Sequence, residues 1–260
     1  MCPPTYFAVE YAINPWMRPD DPVDAHRALR QWQRLYNRLV ELGHRVDVMA
    51  PHPELPDLVF TANGGIVIGD RALLPRFRHP ERQGETDRFG VALRAFGVSE
   101  VRTAQHVNEG EGDFLLTGDR ILAGTGLRSA GDAVAEVAEY FGRPTVPLRL
   151  VDPRFYHLDT ALARLDAHTV AYWPGAFDAA SLGRLGELFP DAILAGEADA
   201  AELALNMVSD GTTVLMAPGR PILAAQIAER GFQVEYVNTD ELRKAGGGAK
   251  CCVLEYHPAP

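Results

Sequence analysis

The amino-acid sequence predicts an α/β fold built from a repeated unit of two strands and a helix. Stretches with helical spacing of apolar residues alternate with short apolar runs flanked by Gly, Pro or Asp. Two pairs of these runs are joined by turn sequences, residues 69–71 and 117–119. Turn chemistry of this kind recurs at intervals of roughly 45 residues, which favours a repeated ββα-type unit. A ring of such units would place its loops around one central site, and an open doubly wound sheet is the alternative.

The helices are predicted from apolar residues that recur every three or four positions. The first has Trp32, Leu35 and Leu39 on one face and ends at Gly43. Together the predicted helices cover residues 25–42, 87–96, 132–141, 176–189, 199–206 and 220–230.

The strands are predicted from short runs rich in Val, Ile, Leu, Phe and Tyr. We find no low-complexity linker between them, so a single domain over residues 1–260 is expected. The predicted strands cover residues 45–49, 65–68, 72–74, 114–116, 120–123, 169–172, 213–216 and 233–237.

Composition limits the partners and the compartment. The 260 residues carry a net charge of -10, which disfavours nucleic acid and anionic membranes and is compatible with a cationic small substrate. We find no run of about 18 apolar residues and no secretory signal, and three cysteines make no disulfide framework. No dinucleotide-binding or P-loop motif is present. A cytoplasmic protein is expected.

The most informative segment contains two adjacent cysteines shortly after three glycines. Gly246–Gly248 precede Cys251 and Cys252. Glycine allows a positive φ and a close approach of other groups, so a thiol on such a loop can face a substrate. Adjacent cysteines rarely bond to each other because the small ring strains disulfide geometry. We therefore predict a reactive thiol.

A histidine and an aspartate could serve such a thiol. Thiol catalysis needs a partner for proton transfer, and His157 lies two residues before Asp159. On a strand these two side chains would share a face, and Asp159 could then bond the imidazole. A buried structural histidine is the alternative interpretation.

Three carboxylates lie within five residues ahead of a predicted strand. Glu109, Glu111 and Asp113 alternate with glycines. Carboxylates this close repel unless a cation or a proton is shared, so the segment could clamp a guanidinium or an ammonium group. An acidic turn in water is the plain alternative. A calcium loop is a third, but the spacing does not match.

Further candidate binding residues lie in the N-terminal half. Asp57 could accept a bidentate guanidinium, Phe60 could stack on its planar face, and Asn63 offers both a donor and an acceptor. An ordinary turn into a hairpin would explain the same segment. The other candidates are Asn14, in an Asn-Pro turn that could form a pocket lid or a core plug, and Arg82 and Arg128, which could pair with a substrate carboxylate.

Taken together, these residues resemble the guanidine-modifying superfamily, the pentein fold. The Glu-Gly-x-Gly-Asp segment at 109–113, the Phe-Tyr-His-Leu-Asp segment at 155–159 and the glycine-rich cysteine at 246–251 occur in that family's order. The resemblance covers nearly the whole chain. It implies a five-fold pseudosymmetric α/β-propeller of ββαβ-type units around a central active site.

The segments at 1–4, 11–17 and 60–65 are similar to one branch, the arginine dihydrolase domain. That branch implies conversion of arginine to ornithine, ammonia and CO2, with no metal or organic cofactor. Dimethylargininases and deiminases have an aspartate where Asn63 stands, so citrulline formation is the alternative. An amide cannot neutralise a guanidinium but bonds a neutral urea well, which could hold citrulline for a second hydrolysis.

The resemblance also assigns roles. It implies that Cys251, the first cysteine after the glycines, is the nucleophile, that His157 transfers protons, and that Glu109 orients the guanidinium and the imidazole, with Glu111 as the alternative. The implied substrate-binding residues are Asn14, Asp57, Phe60, Asn63, Arg82, Glu111, Asp113, Arg128 and Asp159. A dimethylargininase, an arginine deiminase and a non-enzymatic thiol-based metal or arginine-binding protein remain as alternatives.

Overall fold

The strands form four small sheets in a computed structural model that describes residues 1–257. Among these residues, no helix is both long and apolar enough to cross a lipid bilayer. The strands are β1 (Ile66–Ile68), β2 (Arg71–Leu74), β3 (Glu100–Thr103), β4 (Phe114–Thr117), β5 (Arg120–Thr125), β6 (Thr145–Arg149), β7 (Leu162–Arg164), β8 (Val170–Tyr172), β9 (Ile193–Leu194), β10 (Val208–Ser209), β11 (Thr213–Met216), β12 (Gln233–Tyr236) and β13 (Tyr256–His257).

Helices of very different lengths connect the strands. The longest, α1, precedes the first sheet and buries Trp32, Leu35 and Leu39 on one face. Its N-cap is Asp24, whose side chain accepts the backbone N–H of Arg27 at 2.9 Å. The helices are α1 (Ala25–Glu41), α2 (Pro80–Gln83), α3 (Glu85–Ala95), α4 (Asp132–Phe141), α5 (Leu158–Ala161), α6 (Ala179–Leu188), α7 (Glu197–Ala200), α8 (Pro221–Glu229) and α9 (Asp240–Arg243).

The four sheets share one topology. In each, two strands form an antiparallel hairpin, and a third strand lies parallel to the second after a helical crossover. The sheet orders are β13-β1-β2-β3, β4-β5-β6, β7-β8-β9 and β10-β11-β12. The predicted repeat is therefore present as a ββαβ unit, and four separate sheets exclude one open doubly wound sheet for residues 1–257.

Most predicted helices and strands are present, but two are wrong. Residues 199–206 are not a helix: only Glu197–Ala200 is helical, and the chain then turns at Leu203, whose φ is +55°. Residues 45–49 are not an assigned strand. They run beside the N-terminus, where the N–H of Met49 donates to the carbonyl of Met1 at 3.0 Å.

The expectation that His157 and Asp159 lie on a strand is also wrong. His157 is the N-cap of the short helix α5, which contains Asp159. The two cysteines likewise lie in the 3₁₀ turn Lys250–Cys252 and do not alternate along a strand. Several edge strands were not predicted, because their side chains are partly exposed and lack a continuous apolar run; β3 and β6 are examples.

One buried apolar cluster joins the cysteine segment to residues of the N-terminal region. Cys251 and Val253 pack in one buried cluster with Trp32 and Leu35 of α1 and with Phe60. The cysteine segment is thus enclosed by elements distant in sequence.

Candidate active site

A small pocket opens onto the sulfur of Cys251. Its lining combines acidic, basic, amide and aromatic side chains, most of them buried. This is the composition expected of a pocket for a small polar molecule. The lining residues are Ile13, Asn14, Met17, Asp57, Phe60, Asn63, Arg82, Arg128, Tyr156, Ala245 and Cys251.

Cys251 is a buried thiol held by two side chains. Its Sγ lies 3.3 Å from Oδ2 of Asp159 and 3.1 Å from Nδ2 of Asn206. Burial, and then the charge of Asp159, raises the pKa of Cys251 well above its ordinary value. A positive charge from a bound ligand would therefore favour the thiolate.

Asp159 lies between the thiol and a buried lysine. Burial raises the pKa of Asp159 to about 7, and the charge of Lys250 opposes this rise. Oδ1 of Asp159 is buried without a hydrogen-bond partner among the described residues. A free carboxylate oxygen beside the sulfur is a ready acceptor for an N–H of a cationic ligand.

Glu109, His157 and Arg128 form a second buried group. Oε2 of Glu109 lies 2.7 Å from Nε2 of His157 and accepts Nη1 of Arg128 at 2.8 Å. Burial alone would raise the pKa of Glu109, but Arg128, His157 and Arg82 outweigh it and hold the pKa well below its usual range. Glu109 is thus a permanent anion that orients the imidazole and leaves its buried Nδ1 without a partner among residues 1–257.

Asp113 supports this group from behind. Its Oδ2 accepts the hydroxyl of Ser129 at 2.6 Å, and its Oδ1 accepts the backbone N–H of Leu158 at 3.2 Å. Burial raises the pKa of Asp113 to about 6. Both oxygens are engaged by the protein, so Asp113 positions the residue that follows His157.

Arg82 organises the opposite wall. Its guanidinium bonds both oxygens of Glu85 at 2.8 Å and donates to Oδ1 of Asn63 at 2.8 Å. Nδ2 of Asn63 in turn donates to the carbonyl of Glu109 at 3.1 Å. Both ends of the Asn63 amide are therefore used to connect the two sides of the pocket.

Asp57, Phe60 and Asn14 complete the mouth of the pocket. Asp57 accepts the hydroxyl of Tyr11 at 2.9 Å, and its Oδ1 is buried without a partner in the described part of the chain. The ring of Phe60 packs edge-on against that of Phe7. Asn14 accepts the backbone N–H of Trp16 at 2.9 Å and donates to the carbonyl of Ala245 at 3.0 Å, which ties the mouth to the glycine loop.

Glu111 lies apart from the other candidates. It accepts Nζ of Lys250 at 2.7 Å and lies 2.8 Å from Nε2 of His257, and the N–H of Glu255 donates to it at 3.0 Å. The glycines of this segment therefore turn Glu109 toward His157 and Glu111 toward the C-terminal strand. Gly112 allows the approach, because a Cβ there would lie 2.3 Å from Nδ2 of Asn63 and 3.2 Å from Nδ1 of His157.

Tyr156 lines the pocket and Asn206 contacts the sulfur of Cys251, but neither residue was predicted to act there. Asn206 lies in a segment whose apolar spacing suggested a helix, and no local pattern marks it. Tyr156 packs its ring under the guanidinium of Arg128 at 4.7 Å and donates to the carbonyl of Gly246 at 2.9 Å. Its place next to His157 was the one available signal.

A larger cavity of about 340 Å³ lies elsewhere, between α1, α3 and the C-terminal segment. None of the predicted site residues is among the described residues that line this cavity. No group of three or more His, Cys, Asp or Glu side chains in residues 1–257 is arranged to hold a metal ion. Seven predicted site residues line the small pocket, and Glu109, His157 and Asp159 contact residues of its lining, so we take this region as the candidate active site.

Comparison with known proteins identifies similar chains. No protein-family model matches the sequence. The chain is 51% identical over 258 residues to N(G),N(G)-dimethylarginine dimethylaminohydrolase of Mycobacterium tuberculosis, across 99% of this chain and 85% of that protein. It is 41% identical over 261 residues to the bifunctional arginine dihydrolase/ornithine cyclodeaminase AgrE of a Nostoc species, across 98% of this chain and 37% of that protein.

A solved structure gives the same result at the level of the fold. The N-terminal domain of an ArgZ variant, covalently bound to a reaction intermediate, superposes with a TM-score of 0.95 at 36% identity. The match covers 100% of this chain and 98% of that domain. ArgZ is an arginine dihydrolase/ornithine cyclodeaminase of a Synechocystis species.

Proposed function

The chain belongs to the dimethylarginine dimethylaminohydrolase and arginine dihydrolase family of guanidine-modifying hydrolases, and we propose that it hydrolyses the guanidinium group of L-arginine to ornithine, ammonia and CO2. The observation that carries this proposal is a buried thiol, Cys251, which lines one pocket with Asp57 and Arg128. Asp159 lies 3.3 Å from its sulfur, and Arg128 bonds Glu109 of the Glu109–His157 pair. This arrangement suits a planar cation whose carbon is attacked by sulfur.

The acidic groups account for selection of a cationic substrate. The partnerless oxygens of Asp57 and Asp159 are buried, and each would gain a charge-assisted hydrogen bond from a guanidinium or ammonium N–H. An uncharged analogue would leave those oxygens desolvated and unsatisfied, which costs about 1–3 kcal/mol for each group. Arg128 and Arg82 also line the pocket, but their guanidinium groups already bond Glu109 and Glu85, so they orient these carboxylates and do not bind the substrate carboxylate.

The first half of the reaction forms a bond to sulfur. The arriving cation favours the thiolate, and Asp159, 3.3 Å away, takes the thiol proton. The sulfur attacks the guanidinium carbon and forms a tetrahedral adduct. His157 gives a proton to one amino nitrogen, and the C–N bond breaks. Ammonia departs, and a thiouronium-type intermediate remains bound to the sulfur. Glu109 stabilises the protonated imidazole.

The second half regenerates the enzyme. His157, now neutral, takes a proton from water, and the hydroxide adds to the same carbon. Loss of sulfur at this stage gives citrulline. If the adduct instead loses a second ammonia, a thiocarbamate remains on sulfur. A second water adds to its carbon, the C–S bond breaks to release the thiol, and the carbamic acid of ornithine loses CO2. The balance is one arginine and two waters to one ornithine, two ammonia and one CO2. The ArgZ structure with a covalent intermediate supports a covalent route.

A second candidate function is hydrolysis of methylated arginine to citrulline and dimethylamine. The observation in its favour is the 51% identity to the mycobacterial dimethylarginine dimethylaminohydrolase. Against it stands Asn63, an uncharged amide at the position where the dimethylargininases that this chain resembles carry an aspartate, so we prefer arginine.

One product assay separates the two functions. The purified protein is incubated with arginine and, separately, with asymmetric dimethylarginine, and ornithine, citrulline and dimethylamine are resolved by chromatography. Ornithine from arginine supports the proposal. Turnover of dimethylarginine with no action on arginine would replace it by the second function, and citrulline as the sole product from arginine would make the protein a deiminase.

The architecture and setting are part of the same proposal. We propose a single domain in which the four ββαβ units, with a fifth unit made by α1 and the two chain ends, surround the site as a five-fold propeller. The repeated topology and the parallel pairing of β13 with β1 support it. A cytoplasmic location is supported by three cysteines that are all free thiols.

A further inference from the structure

We propose that Asn206 is a further member of the catalytic machinery, which positions Cys251 and stabilises its thiolate through a side-chain N–H. The inference rests on the proposed function, because it names the residue that prepares the same sulfur for attack. Asn206 is buried and lies in the loop between α7 and β10, far from Cys251 in sequence.

The side-chain amide of Asn206 makes four hydrogen bonds, and their partners are Gly248, Cys251 and Asp159. Its Oδ1 accepts the backbone N–H groups of Gly248 at 2.9 Å and Cys251 at 3.1 Å. Its Nδ2 donates to Sγ of Cys251 at 3.1 Å and to the carbonyl of Asp159 at 3.1 Å. A single side chain thus joins the glycine loop, the nucleophile and the residue that accepts the thiol proton.

The orientation of the amide is determined by its partners. Two backbone N–H donors face Oδ1, and an amide nitrogen at that position would oppose them. Nδ2 must therefore face the sulfur and the Asp159 carbonyl. A donor fixed against the sulfur stabilises the thiolate more than the thiol, because hydrogen bonds to an ionised acceptor are stronger.

The backbone that carries Asn206 is strained. Leu203, with φ of +55°, is the one non-glycine residue with a positive φ among residues 1–257, and it is 3% exposed. Its carbonyl accepts the N–H of Asn206 at 3.0 Å. A bulky residue in this conformation is strained and persists only where the surroundings enforce it. The turn at Leu203 follows α7 and carries the backbone of Asn206.

The cysteine loop has matching close contacts. A Cβ at Gly248 would lie 2.8 Å from Oδ1 of Asn206, so only glycine permits the backbone to come this near. The loop that carries Asn206 and the glycine loop before Cys251 therefore pack in close contact.

Two variants separate the donor from the acceptor. Asn206→Asp keeps an oxygen for the Gly248 and Cys251 N–H groups but removes the donor to sulfur, whereas Asn206→Ala removes both. The control is Asn238→Ala, a half-buried asparagine that bonds Asp240 and lies outside the site. Alkylation of Cys251 by iodoacetamide at about pH 8, followed by peptide mapping, reports the thiolate fraction without any substrate, and kcat/KM is measured alongside.

We expect both Asn206 variants to slow alkylation of Cys251 about 10-fold or more, equivalent to one unit of thiol pKa. We expect kcat/KM to fall about 10- to 100-fold, as for loss of a hydrogen bond to a charged group. The control should match the wild type. An alkylation rate for Asn206→Asp equal to or above that of the wild type overturns the inference. If Asn206→Ala does not fold, the result for Asn206→Asp alone decides the test.

The alkylation result is independent of the proposed function. If neither arginine nor dimethylarginine is turned over by the wild type while the variants slow alkylation, the function fails and the role of Asn206 stands. If arginine is converted to ornithine and the variants alkylate normally, the function stands and the role of Asn206 is wrong.

Discussion

At the residue scale, the proposed nucleophile Cys251 lies in surroundings that favour the neutral thiol in the free protein. Burial and the Asp159 carboxylate disfavour its thiolate, so reactivity is tied to the arrival of a cation. Such a thiol should react more slowly with alkylating agents and oxidants than a thiolate would. The adjacent Cys252 is also buried, and burial raises its pKa, but Asn206 and Asp159 contact Cys251.

Replacement of each cysteine tests this assignment. Cys251→Ser should lower kcat on arginine by about 1,000-fold or more, because a serine hydroxyl in this setting is a far weaker nucleophile. Cys252→Ser should retain most of the activity. Product formation by both variants measures the difference, and the reverse ranking would refute the choice of Cys251.

The ionisation of Asp159 predicts a pH dependence of substrate binding. Its pKa is raised to about 7, so the carboxylate that would bind a guanidinium takes up a proton as the pH falls through that value. KM for arginine should therefore rise toward about 10-fold per pH unit below this point. In Asp159→Asn, KM should be high and nearly constant between about pH 6 and pH 8. Asp119→Asn, in an exposed turn, should behave as the wild type. A wild-type KM that is constant over this range would contradict the role of Asp159.

The amide at position 63 predicts the product. Asn63 spans the pocket between Arg82 and the carbonyl of Glu109 without adding charge. Asn63→Asp adds a carboxylate that favours the guanidinium over a neutral urea, so citrulline should escape before a second hydrolysis. The ratio of citrulline to ornithine should rise several-fold. An unchanged ratio would remove the link between this amide and ornithine formation.

At the scale of the elements, glycine decides how closely the acidic turn approaches the histidine. Gly112 lies in the 3₁₀ turn Gly110–Gly112, and the residues on either side, Glu111 and Asp113, face different partners. A side chain at Gly112 would push on Asn63 and on the imidazole together. The turn is therefore a structural requirement for the Glu109–His157 pair.

A pair of glycine variants tests this requirement. Gly112→Ala should reduce kcat/KM at least 10-fold and lower the free energy of unfolding by about 1–3 kcal/mol through overpacking. The matched control is Gly186→Ala in α6, where nothing lies near the added methyl group. That variant should keep full activity and gain up to about 1 kcal/mol from helix propensity. Urea denaturation and product assays measure both, and equal behaviour of the two variants would contradict the argument.

At the scale of the whole molecule, the buried acids link folding to pH. Burial raises the pKa of Asp113 to about 6 and of Glu85 and Asp159 to about 7, whereas an unfolded chain ionises these groups near pH 4. Between these values the folded state binds more protons than the unfolded state. Stability is therefore present on the acidic side of this window and is lost as the pH rises through the folded-state values.

We therefore predict a higher free energy of unfolding at about pH 5 than at about pH 8. Each group can contribute up to roughly 1.4 kcal/mol per pH unit over its window. Urea denaturation across this range gives the slope, and Asp159→Asn should make it smaller. A stability that increases from pH 5 to pH 8 would contradict the raised values. Glu109, whose pKa is lowered, acts at lower pH and does not oppose this trend.

The amino-acid sequence by itself determined the alternation of helices and hairpins, and it marked Cys251, His157, Glu109 and Asn63, because glycine spacing and apolar periodicity are local signals. The tertiary structure alone decided which carboxylate of the acidic turn meets His157. It also decided that Asp159 meets the sulfur from a helical turn and that Asn206 lies beside Cys251. These pairings join residues distant in sequence, and their hydrogen bonds, burial and shared charges exist only once the chain has packed.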